Sequence, residues 1–141
     1  MRKIIILVLV SILTISCNKD ENEIIEKPVF EASENPLDFG KTAKNYAVAK
    51  ELKIKNTGNS NLIISGFQFK SENYFYSNSI MSVEEDITLK PNEDYTFSLG
   101  FKPLQLGDFE NTLIFETNIG DKEVIVKGQG YTLQEPKNTI I

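Results

Sequence analysis

Residues 52–64 read Leu52-Lys53-Ile54-Lys55-Asn56-Thr57-Gly58-Asn59-Ser60-Asn61-Leu62-Ile63-Ile64. Leu52 and Ile54 alternate with Lys53 and Lys55. That period of two marks a strand with one face in a core and the other in water. Asn56 to Asn61 is a dense turn signal, because Asn and Gly accept positive φ and Asn side chains close local turns. Leu62-Ile63-Ile64 then opens a second apolar run. The local reading is strand, turn, strand.

Working outward, the first strand extends back to Ala47, with Val48 on the parity of Leu52 and Ile54. Lys50 falls on that parity and interrupts it. Ala43, Ala47 and Ala49 would also suit a helix, but the β-branched Val48 and Ile54 and the turn beyond favour strand. Upstream, Val29-Phe30-Glu31-Ala32 and Pro36-Leu37-Asp38-Phe39-Gly40 are short edge pieces split by Ser33-Glu34-Asn35. Downstream, the second strand runs from Leu62 to Phe69, and Gly66 inside it predicts a bulge or a close backbone approach. Ile87-Thr88-Leu89 is a short strand, followed by a turn at Lys90–Asp94. Tyr95, Phe97, Leu99 and Phe101 alternate with Thr96, Ser98 and Gly100 in the clearest strand of the chain. Phe109–Thr117 is another, with Phe109, Leu113 and Phe115 on one parity. Val124-Ile125-Val126 forms the last, before Gly128-Gln129-Gly130. About seven strands at short spacing predict an all-β antiparallel sandwich or small barrel. The expected core is Leu52, Ile54, Leu62, Ile64, Phe97, Leu99, Leu113, Phe115, Val124 and Val126.

Composition narrows the function classes. The 141 residues contain one cysteine, Cys17, and neither histidine nor tryptophan. An intrachain disulfide is therefore impossible, and the commonest general base and metal ligand is missing. The net charge is −5; without Arg2 and Lys3 of the N-terminal segment, 13 basic side chains face 20 acidic ones. That balance argues against nucleic acid, whose binding depends on Lys and Arg neutralising phosphates. It equally disfavours electrostatic docking to anionic lipid. Seryl or threonyl nucleophiles would have no histidine to activate them, so the expectation is a non-enzyme without a cofactor.

The N-terminus carries an address. Arg2 and Lys3 precede the apolar run Ile4–Val10, which continues through Ile12, Leu13 and Ile15. The run is shorter than the ~20 residues that span a bilayer, and with its basic start it reads as a signal peptide over residues 1–16. Thr14-Ile15-Ser16-Cys17 resembles the lipobox of bacterial lipoproteins, which implies lipidation of Cys17 and membrane attachment through the lipid. Thr14 stands where leucine is usual, and ordinary cleavage after Ser16 is the alternative. Residues 17–28 read as an acidic tether. Within it, Lys19-Asp20-Glu21 resembles the signal that sends some Gram-negative lipoproteins to the outer face of the outer membrane. The other readings of this stretch are a solvated spacer and an anchor facing the periplasm.

The domain itself, residues 29–131, also shows a resemblance. Asn35–Gly40, Ile54–Asn59 with Leu62–Ile64, Leu89–Asn92, Phe101–Pro103 with Gly107, and Val124–Gly130 follow one another as in the Hydin-type Ig-like domain. That domain is also called ASH or choice-of-anchor D and is related to the major sperm protein sandwich. Asn92 departs from the Pro-Gly common in relatives, but Asn serves the same turn. The resemblance implies a seven-stranded Ig-like sandwich, preceded here by a lipoprotein signal peptide and followed by a short tail, 132–141. It further implies a binding or scaffold module with no catalytic residues; which envelope protein or glycan would be its partner is not written in the sequence.

Three further features bear on contacts. Glu84-Glu85-Asp86 is acidic but lacks the spaced ligands and glycine of a calcium loop, and reads as a solvated loop. Tyr74-Phe75-Tyr76 is expected to bury one face and expose the other. Exposed Tyr74 and Tyr76 would stack on sugars or anchor a partner, while tyrosines facing inward would cap the sandwich. Open sheet edges, at Val29–Phe39 or Val124–Val126, would accept a partner strand.

Overall fold

A computed structural model describes residues 25–79 and 85–134. Among them the chain forms nine strands and no helix. In chain order these are β1 (Phe30–Ala32), β2 (Leu37–Ala43), β3 (Val48–Asn56), β4 (Leu62–Phe69), β5 (Phe75–Ser77), β6 (Ile87–Leu89), β7 (Asp94–Phe101), β8 (Gly107–Thr117) and β9 (Lys122–Tyr131). One sheet has the order β1-β3-β7-β5 and the other β2-β9-β8-β4-β6. The count passes seven because the opening strand is divided between the sheets and Phe75–Ser77 adds a three-residue edge piece. Pairing is antiparallel apart from β2, which runs parallel to β9. The chain leaves β1 without reversing, crosses at Ser33–Pro36 and lands beside β9. Asn35 fixes that crossing, its amide donating to the Glu123 carbonyl (3.3 Å) and its Oδ1 accepting from the Ile125 N–H (3.0 Å).

All ten expected core residues are fully buried, joined by Leu37, Phe39, Phe75, Leu89 and Phe101. Each large apolar side chain so buried contributes about 1.5–3 kcal/mol. Aromatic rings stitch the two sheets together. Phe97 of β7 meets Phe67 of β4 and Phe115 of β8, both at 5.1 Å. Phe75 stacks on Phe101 at 4.7 Å. The register of β4 against β8 shifts between Ile64 and Gly66, where the sequence predicts a bulge.

The 56–61 turn is a junction. Asn56 is fully buried. Its Oδ1 accepts from the N–H groups of Val29 (3.1 Å) and Gly58 (3.0 Å), and its Nδ2 donates to the carbonyls of Ser60 (2.7 Å) and Leu89 (2.8 Å). One amide thus joins the entry to the domain, its own turn and the end of β6. Asn59 holds the residues before the domain, accepting from the Lys27 N–H (2.6 Å) while its own N–H donates to the Lys27 carbonyl (3.1 Å). Gly58 permits this approach, since a Cβ there would collide with the Lys27 carbonyl and the Val29 nitrogen. Asn92 takes φ 70°, and the Glu93 N–H donates to the Lys90 carbonyl (3.0 Å), closing a turn with Pro at its second position. That is the left-handed residue a type II turn requires, so the Asn does serve as the resemblance implied.

Candidate functional site

The tyrosines of 74–76 do not share a face. Phe75 is buried, and Tyr76 pairs with Gly100 of β7 and lies across it on the outer side of the sheet. The missing side chain at Gly100 makes room for the ring. Tyr76 remains 37% exposed. Tyr74 stands just before β5, half-buried and packed edge-on against Phe109 at 4.8 Å. It covers an end of the core, while Tyr76 faces water.

A buried amide on a neighbouring strand positions this segment. β8 turns Phe109, Leu113 and Phe115 toward the core, and the position between them is Asn111, also buried. Its Nδ2 donates to the Ser71 carbonyl (2.8 Å) and to Asn73 Oδ1 (3.1 Å), and its Oδ1 accepts from Ser71 Oγ (3.2 Å). Asn73 Oδ1 in turn accepts from the Phe75 N–H (3.1 Å). The 71–75 loop is therefore hung from β8 and sets where both tyrosines stand. From the sequence alone Asn111 has no expected role. Its signal was a polar residue interrupting the apolar parity of a strand.

An open groove of about 520 Å³ runs beside this loop, lined by Phe69, Ser71, Glu72, Asn73, Phe75 and Tyr76. It offers three aromatic rings, small polar groups and one carboxylate, a lining suited to contact rather than to acid–base chemistry. A second concavity, about 460 Å³, crosses β2, β9 and β8 and includes Asp38, Lys41, Asp108, Glu110, Lys127 and Gln129. Its charges are partly spent on each other. Asp38 lies 3.3 Å from Lys127, and Gln129 donates to Asp108 (2.7 Å). The Gly40 N–H donated to Asp38 (2.8 Å), with Lys127 beside it, holds that carboxyl below its ordinary value. Among the described residues no three acidic or thiol side chains converge as a metal site.

Other expectations fall elsewhere. Cys17, the signal segment, Glu84 and the tail beyond residue 134 lie outside the described residues, as does most of the tether. Of the proposed open edges, Val29–Phe39 does supply margins, as β1 and β2. Val124–Val126 does not, because β9 is flanked by both β2 and β8. The crossing of the opening strand covers it.

Comparison with known proteins agrees with this geometry. Residues 28–130 match the family described as HYDIN/CFA65/VesB-like, Ig-like domain. No curated protein sequence matches. Among solved structures, the ASH/PapD-like domain 7 of human CEP192 is similar at TM-score 0.53 and 13% identity, over 74% of this chain and 87% of that one. A protein of unknown function from Porphyromonas gingivalis W83 is similar at TM-score 0.59 and 15% identity, over 79% of this chain but 51% of that one. The VesB protease of Vibrio cholerae is similar at TM-score 0.53 and 17% identity, over 74% of this chain and 32% of that one. At these identities the likeness is one of fold.

Proposed function

The chain belongs to the HYDIN/CFA65/VesB-like Ig-like domain family, and from that membership we propose that it is a lipid-anchored binding or scaffold module of the cell envelope that catalyses nothing itself. The observation that carries this reading is the family match over nearly the whole folded region, residues 28–130. The protease named among the similar structures is a longer protein, of which this chain covers 32%. Here the interior is filled by apolar side chains, and the polar groups that remain buried, such as Asn56 and Asn111, are engaged in holding loops. That is the economy of a rigid display scaffold.

The anchor rests on sequence: Cys17 at the end of a short apolar export segment, followed by Lys19-Asp20-Glu21. Two acyl chains give stable membrane attachment, at about 0.8 kcal/mol per buried CH₂. The placement proposed is the outer membrane, with the domain facing the exterior. Metabolic labelling with a clickable fatty acid tests the anchor, and Cys17→Ser should lose both label and membrane fraction. Protease added to intact cells tests the face. Retained labelling in the variant would sink the lipid assignment, and full protection from protease would put the domain on the periplasmic side.

A second reading, carbohydrate binding, is favoured by one observation: the Tyr76 ring is exposed and borders an open groove. Loss of glycan-array signal in Tyr76→Ala, with folding intact, would support it. Tyr74→Ala should act chiefly on stability, because its ring packs on Phe109.

A further inference from the structure

The two ends of the sandwich differ in kind. At one end the chain enters, tied to the 56–59 turn through Lys27 and Val29. At the other, three segments meet: the β2–β3 loop, the β7–β8 loop and the end of β9. The Lys44 N–H donates to the Tyr131 carbonyl and the Asn45 N–H to the Pro103 carbonyl, both at 2.8 Å. Gly130 lies directly against the Gln105 carbonyl and Pro103. β3 spans the distance between the ends, from Val48 to Asn56, or about 26 Å at strand rise.

These tied segments expose large apolar side chains. Tyr46 is 63% accessible, Leu106 57%, Leu133 53%, Leu104 49% and Tyr131 39%. Turns seldom carry so many, and grouped exposed apolar residues mark interaction sites. Lys44 and Lys102 are also exposed on these segments, and neither forms an ion pair among the described residues. Because the backbone is already cross-tied, docking would cost little ordering.

From this we infer that the end opposite the tether is a docking surface for another protein, one presenting apolar side chains flanked by carboxylates. The inference rests on the proposed anchored module and adds where it binds and to what chemistry. Charge selects the occupant. Two copies meeting through this end would bring Lys44 and Lys102 of both into one interface, whereas carboxylates on a partner would complement them. Tyr46 and Tyr131 could each stack on a sugar ring, but Leu104, Leu106 and Leu133 offer a sugar neither a stacking face nor a hydrogen bond, so a glycan would leave most of this surface unmatched. The acidic chain as a whole disfavours anionic lipid, and an anchor at the other end turns this surface away from its own membrane.

Photo-crosslinking on intact cells tests it, with the full-length anchored chain carrying a benzophenone amino acid at position 104, at position 76, or at position 88 on β6 as control. The expected result is a product from position 104 and none above background from 88. Mass spectrometry of the linked peptide should show a segment of another protein with acidic residues beside apolar ones. The double variant K44E/K102E should cut the yield about tenfold, the scale of reversing two rim charges, with its melting temperature unchanged. Leu106→Ser supplies an independent loss should the double variant misfold. A linked lipid, a linked second copy, or yield indifferent to charge reversal overturns the inference. Product from position 76 instead overturns the docking surface while leaving the binding module standing. No product from any position overturns both.

Discussion

Single side chains hold this domain to its loops, and Asn56 does most. Its amide serves four backbone groups from three parts of the chain. Removing one partner of a buried hydrogen bond leaves the other desolvated, at about 1–3 kcal/mol per group. Asn56→Ala should therefore lower unfolding stability by about 2–4 kcal/mol, since some of the freed groups regain water. A shift of the urea midpoint with unchanged slope would show it; a midpoint equal to wild type would mean that the loops close without the amide. Asp38 is a surface counterpart. Its carboxyl is held below the ordinary value of 3.8 by the Gly40 N–H and by Lys127. A carboxylate with lowered folded pKa adds stability that is present above the unfolded value and lost as pH falls through the folded one. Asp38→Asn should thus be slightly less stable than wild type at pH 7, with the gap closing below pH 3.8. The effect is small because both partners of the Asp38–Lys127 pair are about half exposed and water screens them. Denaturation curves for both proteins across that range would reveal a gap that fails to close.

At the scale of elements, the turns and loops carry specific demands. The 56–61 segment has the composition of a plain connector, yet it clamps residues 25–29. Gly58→Ala would drive a methyl group into the backbone of Lys27 and Val29. Forced overpacking of this kind costs about 1–3 kcal/mol. It should also raise hydrogen exchange at the amides of Lys27 and Val29, the readout that separates a lost clamp from general destabilisation. The β4–β5 loop depends on β8 in the same way. Asn111→Leu preserves apolar burial but withdraws the bonds to Ser71 and Asn73. Faster exchange over 71–76, with β8 itself still protected, is the expected outcome; uniform exchange across the domain would show that Asn111 acts on the whole core.

For the molecule as a whole, the sheets cohere through rings. Phe97 alone joins β7 to Phe67 and Phe115 of the facing sheet. Phe97→Ala should cost about 3–5 kcal/mol, a large share of the ~5–15 kcal/mol typical of a domain, whereas Phe97→Leu should stay folded. Thermal unfolding followed by circular dichroism distinguishes them, and near-equal melting of Ala and wild type would sink the sheet-joining role given to Phe97. The strands and core were legible because alternation in β3, β7, β8 and β9 is a local consequence of one face meeting water and the other meeting apolar side chains. Turn chemistry at Lys90–Glu93 was legible for the same reason, since backbone conformation there is a property of adjacent residues. The proposed export address, Cys17 included, rests on the sequence alone. What the chain order could not express was distance. The division of the opening strand between sheets depends on which neighbour has a free edge. The burial of Asn56 and Asn111 depends on carbonyls more than thirty residues away. The exposure of Tyr46, Leu104, Leu106 and Tyr131 at one end depends on three loops meeting. Those are facts of tertiary contact, and they separate a turn that only reverses the chain from one that anchors it.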